Sequence, residues 1–312
     1  APGLKTVEDA LEIRRRIFLA FETAEREADP VARNCWMTFI IVGGGPTGVE
    51  LSGALAELAH HTLRNDFRRI NPAEVKILLL EAGDRILPSY QTSISAKAEN
   101  ALARLGVSVQ TRCMVKGITP ESVSVQRGED AEEIGARTVL WAAGVKASAL
   151  AKVLAERTGV SLDRMGRVMV NPDLTVPNHS NIFVIGDLAH FAHQTSQPLP
   201  GVAPVAMQQG RYVGRLISER LRGKELPAFH YVDKGSLAVI GRNAAVAQRG
   251  SLGFNGFFAW LAWVFVHIYY LIEFDNKLRV MIQWAWHYFT RKRGARLITG
   301  EPTLPDIRKI KI

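Results

Sequence analysis

Apolar runs and stretches of helical periodicity alternate over the first half of this chain. Residues 38–42 and 75–80 are short apolar runs of the kind that forms buried parallel strands. A helical pattern follows each of them, over residues 46–67 and 91–105 respectively. This strand–helix–strand order predicts a doubly wound α/β unit.

Further elements are expected on both sides of this unit. Residues 107–110 alternate as a strand, and residues 113–127 and 138–141 supply more strands. Before the first strand, the pattern predicts an amphipathic helix over Val7–Glu27. Thr6 is a suitable N-cap for that helix because an acid follows three residues later.

The pattern changes in the second half of the chain. Residues 183–187 are expected to form another buried strand, which ends in Gly-Asp, and residues 205–222 a helix. Residues 229–249 predict short strands. From Gly253 onward aromatic residues dominate, so this end of the chain is expected to differ from the α/β part.

An aromatic, apolar stretch lies near the C-terminus. The 16-residue run Phe257–Ile272 would extend ~24 Å as a helix, which is shorter than a ~30 Å hydrocarbon core. A mixed stretch over 280–289 carries Trp284 and Trp286, and a basic cluster follows at 291–293. These features favour helices that lie on one leaflet of a membrane. A short transmembrane span and a buried homodimer interface remain open as alternatives.

Charge supports a membrane-facing C-terminus. The chain has 39 Lys and Arg against 30 Asp and Glu, and residues 275–312 contribute +6 of the net +9. A basic segment beside aromatic sequence favours an anionic membrane surface. No nucleic-acid-binding signature is found. The two cysteines, Cys35 and Cys113, form neither a CxxC pair nor a zinc-ligand pattern, and no metal site is expected.

The clearest chemical motif is Gly43-x-Gly45-x-x-Gly48, which lies between the first predicted strand and the following helix. In a dinucleotide-binding turn, Gly43 permits the tight turn and Gly45 lets the backbone approach a pyrophosphate. Gly48 lets the helix pack closely on the strand. The helix N-terminus offers free N–H groups to the phosphates. A tight turn without a ligand is the structural alternative.

Two acids accompany this motif. Glu81 ends the second strand, where its carboxylate could accept hydrogen bonds from ribose hydroxyls and repel a 2′-phosphate, which favours NADH over NADPH. It lies 33 residues after Gly48, more than the usual ~20. Glu50 lies in the first turns of the helix. There it either interacts with the helix dipole or lies near the nicotinamide and flavin rings, where it handles a proton or positions a quinone.

The chain resembles the type II, non-proton-pumping NADH:quinone oxidoreductases, which are flavoproteins with two dinucleotide-binding domains. The matching segments are IVGGGPTGVE at 41–50, LLLEAGDRILP at 78–88, WAAGV at 141–145, NIFVIGDLAH at 181–190, LPGVAPVAMQQG at 199–210 and RGARLITG at 293–300. The resemblance implies an enzyme in which NADH reduces FAD and the flavin reduces a quinone. It also implies a peripheral, monotopic location on the cytoplasmic face of the bacterial inner membrane.

The resemblance also assigns residues in the second half of the chain. Gly186 and Asp187 are similar to the FAD signature in which the Asp binds the ribityl chain. Ala143 and Gly144 match the loop that returns the chain to the FAD domain. Three further residues match positions near the flavin or the quinone, namely Gln208, Gln209 and Lys234. Pro204 stands where the family has a glutamine, which puts a side-chain amide role there in doubt.

The resemblance implies an α/β fold with two Rossmann-like (FAD/NAD(P)-binding) domains and C-terminal amphipathic membrane-associating helices. Residues 1–36 are a remnant of the FAD domain, 37–144 the NAD(H)-binding domain, 145–222 the second part of the FAD domain, and 223–312 the C-terminal strands and helices. The family's N-terminal FAD glycines are absent, so the FAD domain is expected to be incomplete and to bind flavin poorly.

Three other functions remain open at this point. A disulfide reductase of the same fold would need a cysteine pair outside this sequence. A sulfide:quinone reductase would need cysteines near the flavin, and Cys35 and Cys113 show no such pattern. A non-catalytic NAD-binding membrane protein would share the glycine motif and the apolar C-terminus.

Overall fold

The computed structural model describes residues 1–144, 147–195, 197–271, 273–290 and 298. The chain divides into two compact units by its internal contacts. Unit 1 consists of Ala1–Ala143 and the chain from Ser236 onward, and unit 2 of Gly144–Gly235.

The elements are numbered in chain order. The helices are α1 (Val7–Arg26), α2 (Pro30–Trp36), α3 (Pro46–Glu57), α4 (Thr92–Arg104), α5 (Leu150–Thr158), α6 (Ala203–Leu221), α7 (Phe257–Tyr270) and α8 (Phe274–Thr290). The strands are β1 (Thr38–Val42), β2 (Lys76–Leu80), β3 (Val107–Gln110), β4 (Met114–Ile118), β5 (Ser122–Arg127), β6 (Asp130–Gly135), β7 (Thr138–Trp141), β8 (Val168–Met169), β9 (Thr175–Val176), β10 (His179–Phe183), β11 (Ala189–His190), β12 (Ser236–Gly241), β13 (Ala244–Arg249) and β14 (Leu252–Gly256).

A four-stranded parallel sheet in the order β3-β2-β1-β7 forms the centre of unit 1. All five residues of β1 are buried, which explains why its sequence is apolar without alternation. The predicted α/β fold class and the strands predicted at 38–42 and 75–80 are confirmed, with β2 beginning one residue later than expected.

Helix α1 packs on this sheet. Its predicted capping box is present, because Thr6 Oγ1 accepts the backbone N–H of Asp9 at 3.1 Å and the Asp9 carboxylate accepts the N–H of Thr6 at 2.9 Å. The buried face of α1 carries Phe21, whose ring centroid lies 5.4 Å from that of Phe39 on β1. The helix predicted over Val7–Glu27 is therefore confirmed.

The helix predicted over 46–67 is shorter in the structure. Helix α3 ends at Glu57 and continues only as a π-helical turn, Leu58–Thr62. The ring of Phe67 stacks on Phe21 with centroids 6.0 Å apart, so the chain leaves the helix axis although its apolar spacing continues. Here a tertiary contact overrides the local pattern.

Two antiparallel sheets complete unit 1, one of β4, β5 and β6 and one in the order β12-β13-β14. Strands β4 and β5 lie in the predicted region 113–127, but β6 was not predicted. It has the sequence DAEEIG and is largely exposed, so no apolar pattern marks it. Strands β12 and β13 lie within the predicted region 229–249, where residues 229–235 form no strand.

Unit 2 consists of α5, α6 and two pairs of short strands, β9 with β10 and β8 with β11. The helix predicted over 205–222 is confirmed as α6. The buried strand predicted over 183–187 is wrong, because β10 ends at Phe183 and Ile185 is exposed. Within the described residues β10 pairs only with β9, in antiparallel fashion, so no neighbouring strand extends it toward Gly186.

Helices α7 and α8 follow the last sheet of unit 1. The ring centroids of Trp263 and Trp284 lie 5.3 Å apart with nearly parallel planes, which joins the two helices. Among the described residues, no helix has both the length and the apolar character needed to cross a membrane. The basic cluster at 291–293 and most of the 293–300 motif lie outside the described residues.

Candidate functional site

The glycine turn after β1 is fixed by close backbone packing. A Cβ on Gly43, whose φ is +108°, would lie 2.7 Å from the Cα of Ala143. A Cβ on Gly48 would lie 1.8 Å from the carbonyl oxygen of Gly43. Because real Cβ atoms do not approach backbone atoms this closely, both positions require glycine for packing alone.

Gly45 differs from its two neighbours in the motif. It is the N-cap of α3, makes no side-chain cap hydrogen bond, and is followed by Pro46 in the first turn. A Cβ built on Gly45 would meet no atom of the described residues within 4 Å. The N-terminus of α3 therefore borders open space at Gly45, where an anion could bind.

The Glu81 carboxylate is fixed beside this turn. Its Oε2 accepts the backbone N–H of Gly44 at 2.6 Å, and its Oε1 accepts that of Gly83 at 2.7 Å. Each carboxylate oxygen has a second lone pair, and the side chain is half-buried. Glu81 is thus oriented by two loops and retains acceptor capacity for sugar hydroxyls.

Glu50 contacts the C-terminal sheet. Its Oε1 accepts the backbone N–H of Val239 on β12 at 3.1 Å. Burial raises the pKa of the Glu50 carboxyl above its ordinary value, although the hydrogen bond from Val239 and the nearby indole of Trp263 lower it. The protonated form is favoured more than in water, which suits a group that holds and releases a proton.

Tyr90 lies in the same buried region, and sequence reasoning missed it. The side chain is 3% exposed, and its hydroxyl is buried. Burial and the negative charge of Glu50 raise the pKa of Tyr90 to about 12, although nearby Ser236 lowers it. No local pattern marks Tyr90, because its neighbours come from distant parts of the chain.

Helix α3 docks onto the edge strand β12 through three residues spaced along one side. Glu50 and Glu57 accept the backbone N–H groups of Val239 and Arg242. Between them, a Cβ on Gly53 would lie 1.6 Å from the carbonyl oxygen of Ile240. The Glu50 carboxylate therefore satisfies an N–H group that an edge strand would otherwise expose, and the Glu57 carboxylate satisfies one in the turn after this strand.

In unit 2, Gln209 stabilises the Gly186 turn. Gly186 has φ +65°, and its N–H donates to Oε1 of Gln209 at 2.6 Å. Gln209 is 1% exposed, so its amide oxygen is committed to this turn. Asp187 follows with an exposed side chain, and a Cβ on Gly201 would lie 3.3 Å from its Oδ1.

The Gln208 side chain pairs with backbone. Its amide donates to the carbonyl of Val232 and accepts the N–H of Val232, both at 3.0 Å. Gln194 makes the same pair of bonds with Tyr231, at 2.9 and 2.8 Å. The two glutamines thus hold one extended segment, and exposed Lys234 follows two residues later.

Ala143 and Gly144 lie at the division between the units. The carbonyl of Ala143 accepts the indole N–H of Trp141 at 2.9 Å, and Gly144 has φ +75°. The structure therefore brings Gly43, Gly45, Gly48, Glu81, Glu50 and Ala143 together in unit 1. It brings Gly186, Asp187, Gln208 and Gln209 together in unit 2, which also contains Gly144 and Lys234.

A glycine-rich turn between a parallel strand and a helix, with a carboxylate at the end of the next strand, defines a dinucleotide-binding α/β protein. The sequence profile of the pyridine nucleotide-disulphide oxidoreductases matches residues 3–210. The chain belongs to this family.

Two mycobacterial enzymes are among the relatives to which this chain is similar. The chain is 42% identical over 307 residues to the type II NADH:quinone oxidoreductase NdhA of Mycobacterium tuberculosis, covering 96% of this chain and 64% of that protein. It is 41% identical over 312 residues to the enzyme Ndh of the same organism, covering 99% and 66% respectively. The chain thus spans about two thirds of the length of these relatives, and the resemblance inferred from its motifs is confirmed.

A solved structure agrees with the fold. The structure of NDH2 from Plasmodium falciparum in complex with NADH superimposes with a TM-score of 0.83 at 19% sequence identity, covering 94% of this chain and 74% of that one.

Proposed function

We propose that this protein is a type II NADH:quinone oxidoreductase, which passes electrons from NADH through FAD to a membrane quinone without pumping protons. The observation that carries the proposal is the Gly43–Gly48 turn, with an uncapped helix N-terminus at Gly45 and a fixed carboxylate at Glu81. The similarity to the two mycobacterial enzymes supports the same activity.

The chain's own residues fit the parts of NADH. The open space at Gly45 suits the pyrophosphate, because the first N–H groups of α3 and the helix dipole favour an anion there. The fixed Glu81 carboxylate suits the two ribose hydroxyls and disfavours a 2′-phosphate through charge repulsion. Gly43 and Gly48 keep the turn tight enough for both groups to act on one ligand.

Unit 2 supplies residues that fit the flavin nucleotide. The Gly186 turn is held by buried Gln209, and the exposed carboxylate of Asp187 beside it suits a hydrogen bond to a sugar alcohol. A bound flavin would supply the two-electron chemistry between nicotinamide and quinone. Gln208 and Lys234 would act near this group, Gln208 by positioning the segment at Val232.

Glu50 is the proton-handling residue in this proposal. We expect Glu50→Gln to reduce quinone reduction by at least about tenfold and to leave NADH binding unchanged. A glutamine still accepts the N–H of Val239 through its amide oxygen, so the docking of β12 is kept, but it cannot hold a proton. The measurement is steady-state NADH oxidation by this chain in the presence of excess FAD and a short-chain quinone.

Glu57→Gln is the matched control for this experiment. Glu57 accepts the N–H of Arg242 in the turn after the same strand, and a glutamine would preserve that bond. Its rate should equal that of the unaltered protein. Equal rates for both variants would remove the proton role from Glu50, and no quinone-dependent NADH oxidation by the unaltered protein would overturn the proposed function.

Helices α7 and α8 are proposed to bind the anionic surface of the membrane as a monotopic platform, on the cytoplasmic face of a bacterial inner membrane. They carry many exposed apolar side chains, which is typical of interaction sites. These are Phe257, Phe258, Phe265, Val266, Tyr269, Tyr270, Phe274, Leu278, Met281, Ile282, Trp286 and Phe289.

We expect the protein to sediment with vesicles that contain anionic lipid, and less so with neutral vesicles or at high salt. Phe258→Glu combined with Phe289→Glu should weaken vesicle binding at least about a hundredfold, since each change removes an exposed aromatic ring that the membrane would bury and adds an anion. Leu221→Glu, at an exposed position on α6, is the control and should bind normally. If the two phenylalanine changes instead convert a dimer to a monomer without affecting vesicle binding, the face is a homodimer interface.

A further inference from the structure

Two loops of unit 1 meet beside the Glu81 carboxylate. The loop after β2 contains Glu81 and Gly83, and the loop between β3 and β4 contains Arg112 and Cys113. The backbone N–H of Cys113 donates to the carbonyl of Glu81 at 2.9 Å, and that of Arg112 donates to the carbonyl of Gly83 at 2.8 Å. The N–H of Gly83 also donates to Oε1 of Glu81. Gly83 therefore links the backbone of Arg112 to the carboxylate that is predicted to bind the ribose.

Arg112 has an unusual backbone conformation. Its φ is +52°, in the left-handed region that glycine adopts without cost and arginine adopts rarely. Backbone strain of this kind concentrates at functional sites, which points to a use for the Arg112 side chain. This backbone conformation, together with the hydrogen bond to Gly83, fixes the position from which the Arg112 side chain leaves the backbone.

The Arg112 guanidinium pairs with an acid of the neighbouring loop. Nε of Arg112 donates to Oδ1 of Asp84 at 2.7 Å, and the two side chains are 77% and 78% exposed. Arg85 of the same loop is used elsewhere, since it donates to Thr92 and to the carbonyl of Pro88. Apart from Arg85, the charged side chains of these two loops are therefore the carboxylates of Glu81 and Asp84 and the guanidinium of Arg112.

We propose that Asp84 and Arg112 form a second determinant of dinucleotide choice, in which Asp84 neutralises the guanidinium that would otherwise bind the 2′-phosphate of NADPH. The inference rests on the proposed function, because it needs the adenosine ribose at Glu81. Glu81 repels the phosphate directly, and Asp84 withholds the cation that could compensate for that repulsion.

The charges of Glu81, Asp84 and Arg112 explain why Glu81 alone does not determine the choice between NADH and NADPH. A 2′-phosphate carries about −1.5 to −2 charges at neutral pH. Removing the charge of Glu81 leaves Arg112 paired with Asp84 through Nε, so the pair contributes no net positive charge that would attract the phosphate. Removing the charge of Asp84 as well frees a planar guanidinium, which can bind phosphate oxygens through two parallel hydrogen bonds.

The test measures dissociation constants for NADH and NADPH by fluorescence titration of the full chain at low salt. Glu81→Gln should improve NADPH binding by about three- to tenfold. Adding Asp84→Asn should improve it by about a further tenfold, and adding Arg112→Gln should remove that further gain. NADH binding should change by less than about threefold between Glu81→Gln and these double and triple variants, because the ribose contacts are the same.

A matched control separates this effect from a general change of charge. Glu132 pairs with Arg127 at 3.3 Å on the β5–β6 sheet of the same unit, and Glu132→Gln changes the net charge as Asp84→Asn does. Combined with Glu81→Gln, it should leave NADPH binding at the level of Glu81→Gln alone. Thermal unfolding of each variant checks that the fold is retained.

The outcomes distinguish this inference from the proposed function. If the unaltered chain binds NADH but Asp84→Asn behaves like Glu132→Gln, or if its gain survives Arg112→Gln, the second determinant is overturned and the proposed function stands. If the unaltered chain binds neither nucleotide, both are overturned.

Discussion

Replacing Gly53 by alanine is expected to destabilise unit 1 by about 3 kcal/mol or more, through steric overlap with a backbone atom. The added Cβ would lie 1.6 Å from the carbonyl oxygen of Ile240 on β12. That carbonyl belongs to a strand and cannot rotate away as a flexible side chain could. Helix α3 and the C-terminal sheet would have to separate, which would also break the hydrogen bonds that Glu50 and Glu57 accept.

The sign of this effect is opposite to that of an ordinary helix substitution. Gly→Ala within a helix normally stabilises by about 0.8–1 kcal/mol. Gly214, inside α6, is the matched control because a Cβ there meets no atom of the described residues within 4 Å. Thermal denaturation should show a lower midpoint for Gly53→Ala and an unchanged or higher one for Gly214→Ala. A stabilised Gly53→Ala protein would contradict the close packing of α3 on β12.

The second large effect is expected at the glycine turn. Gly48→Ala should destabilise unit 1 by about 3 kcal/mol or more, because its Cβ would lie 1.8 Å from the carbonyl oxygen of Gly43. Gly45→Ala, three residues earlier, should fold normally since no described atom lies near its Cβ. It should nevertheless weaken NADH binding by at least about tenfold, because the methyl group would occupy the proposed pyrophosphate space.

The two variants together separate packing from binding. Thermal unfolding reports the first property, and NADH titration of the folded protein reports the second. If Gly45→Ala bound NADH as tightly as the unaltered protein, the ligand would not approach the N-terminus of α3. If Gly48→Ala were as stable as the unaltered protein, the strand and helix would not pack as described.

Sequence reasoning was most successful where a local pattern has one physical cause. The run at 38–42 predicts β1 because a strand buried on both faces must be apolar throughout. Thr6 with Asp9 predicts the start of α1 because the two side chains satisfy N–H groups within one turn.

Prediction failed where a segment's structure depends on distant partners. Residues 183–187 are as apolar as a buried strand, yet β10 ends at Phe183 because its described partner is β9 alone. Strand β6 is polar and exposed, and it is held by its pairing with β5. Phe67 packs on Phe21 instead of extending helix α3, although the apolar spacing of that helix continues.

The sequence by itself determined the parallel α/β core and the glycine turn, and it marked Glu81, because these depend on residues close together in the chain. Only the tertiary structure decided how the functional side chains are held. It placed Glu50, Gly53 and Glu57 against β12, about 190 residues away, and Asp84 against Arg112. Such contacts follow from how separate elements pack, and no short-range periodicity records them.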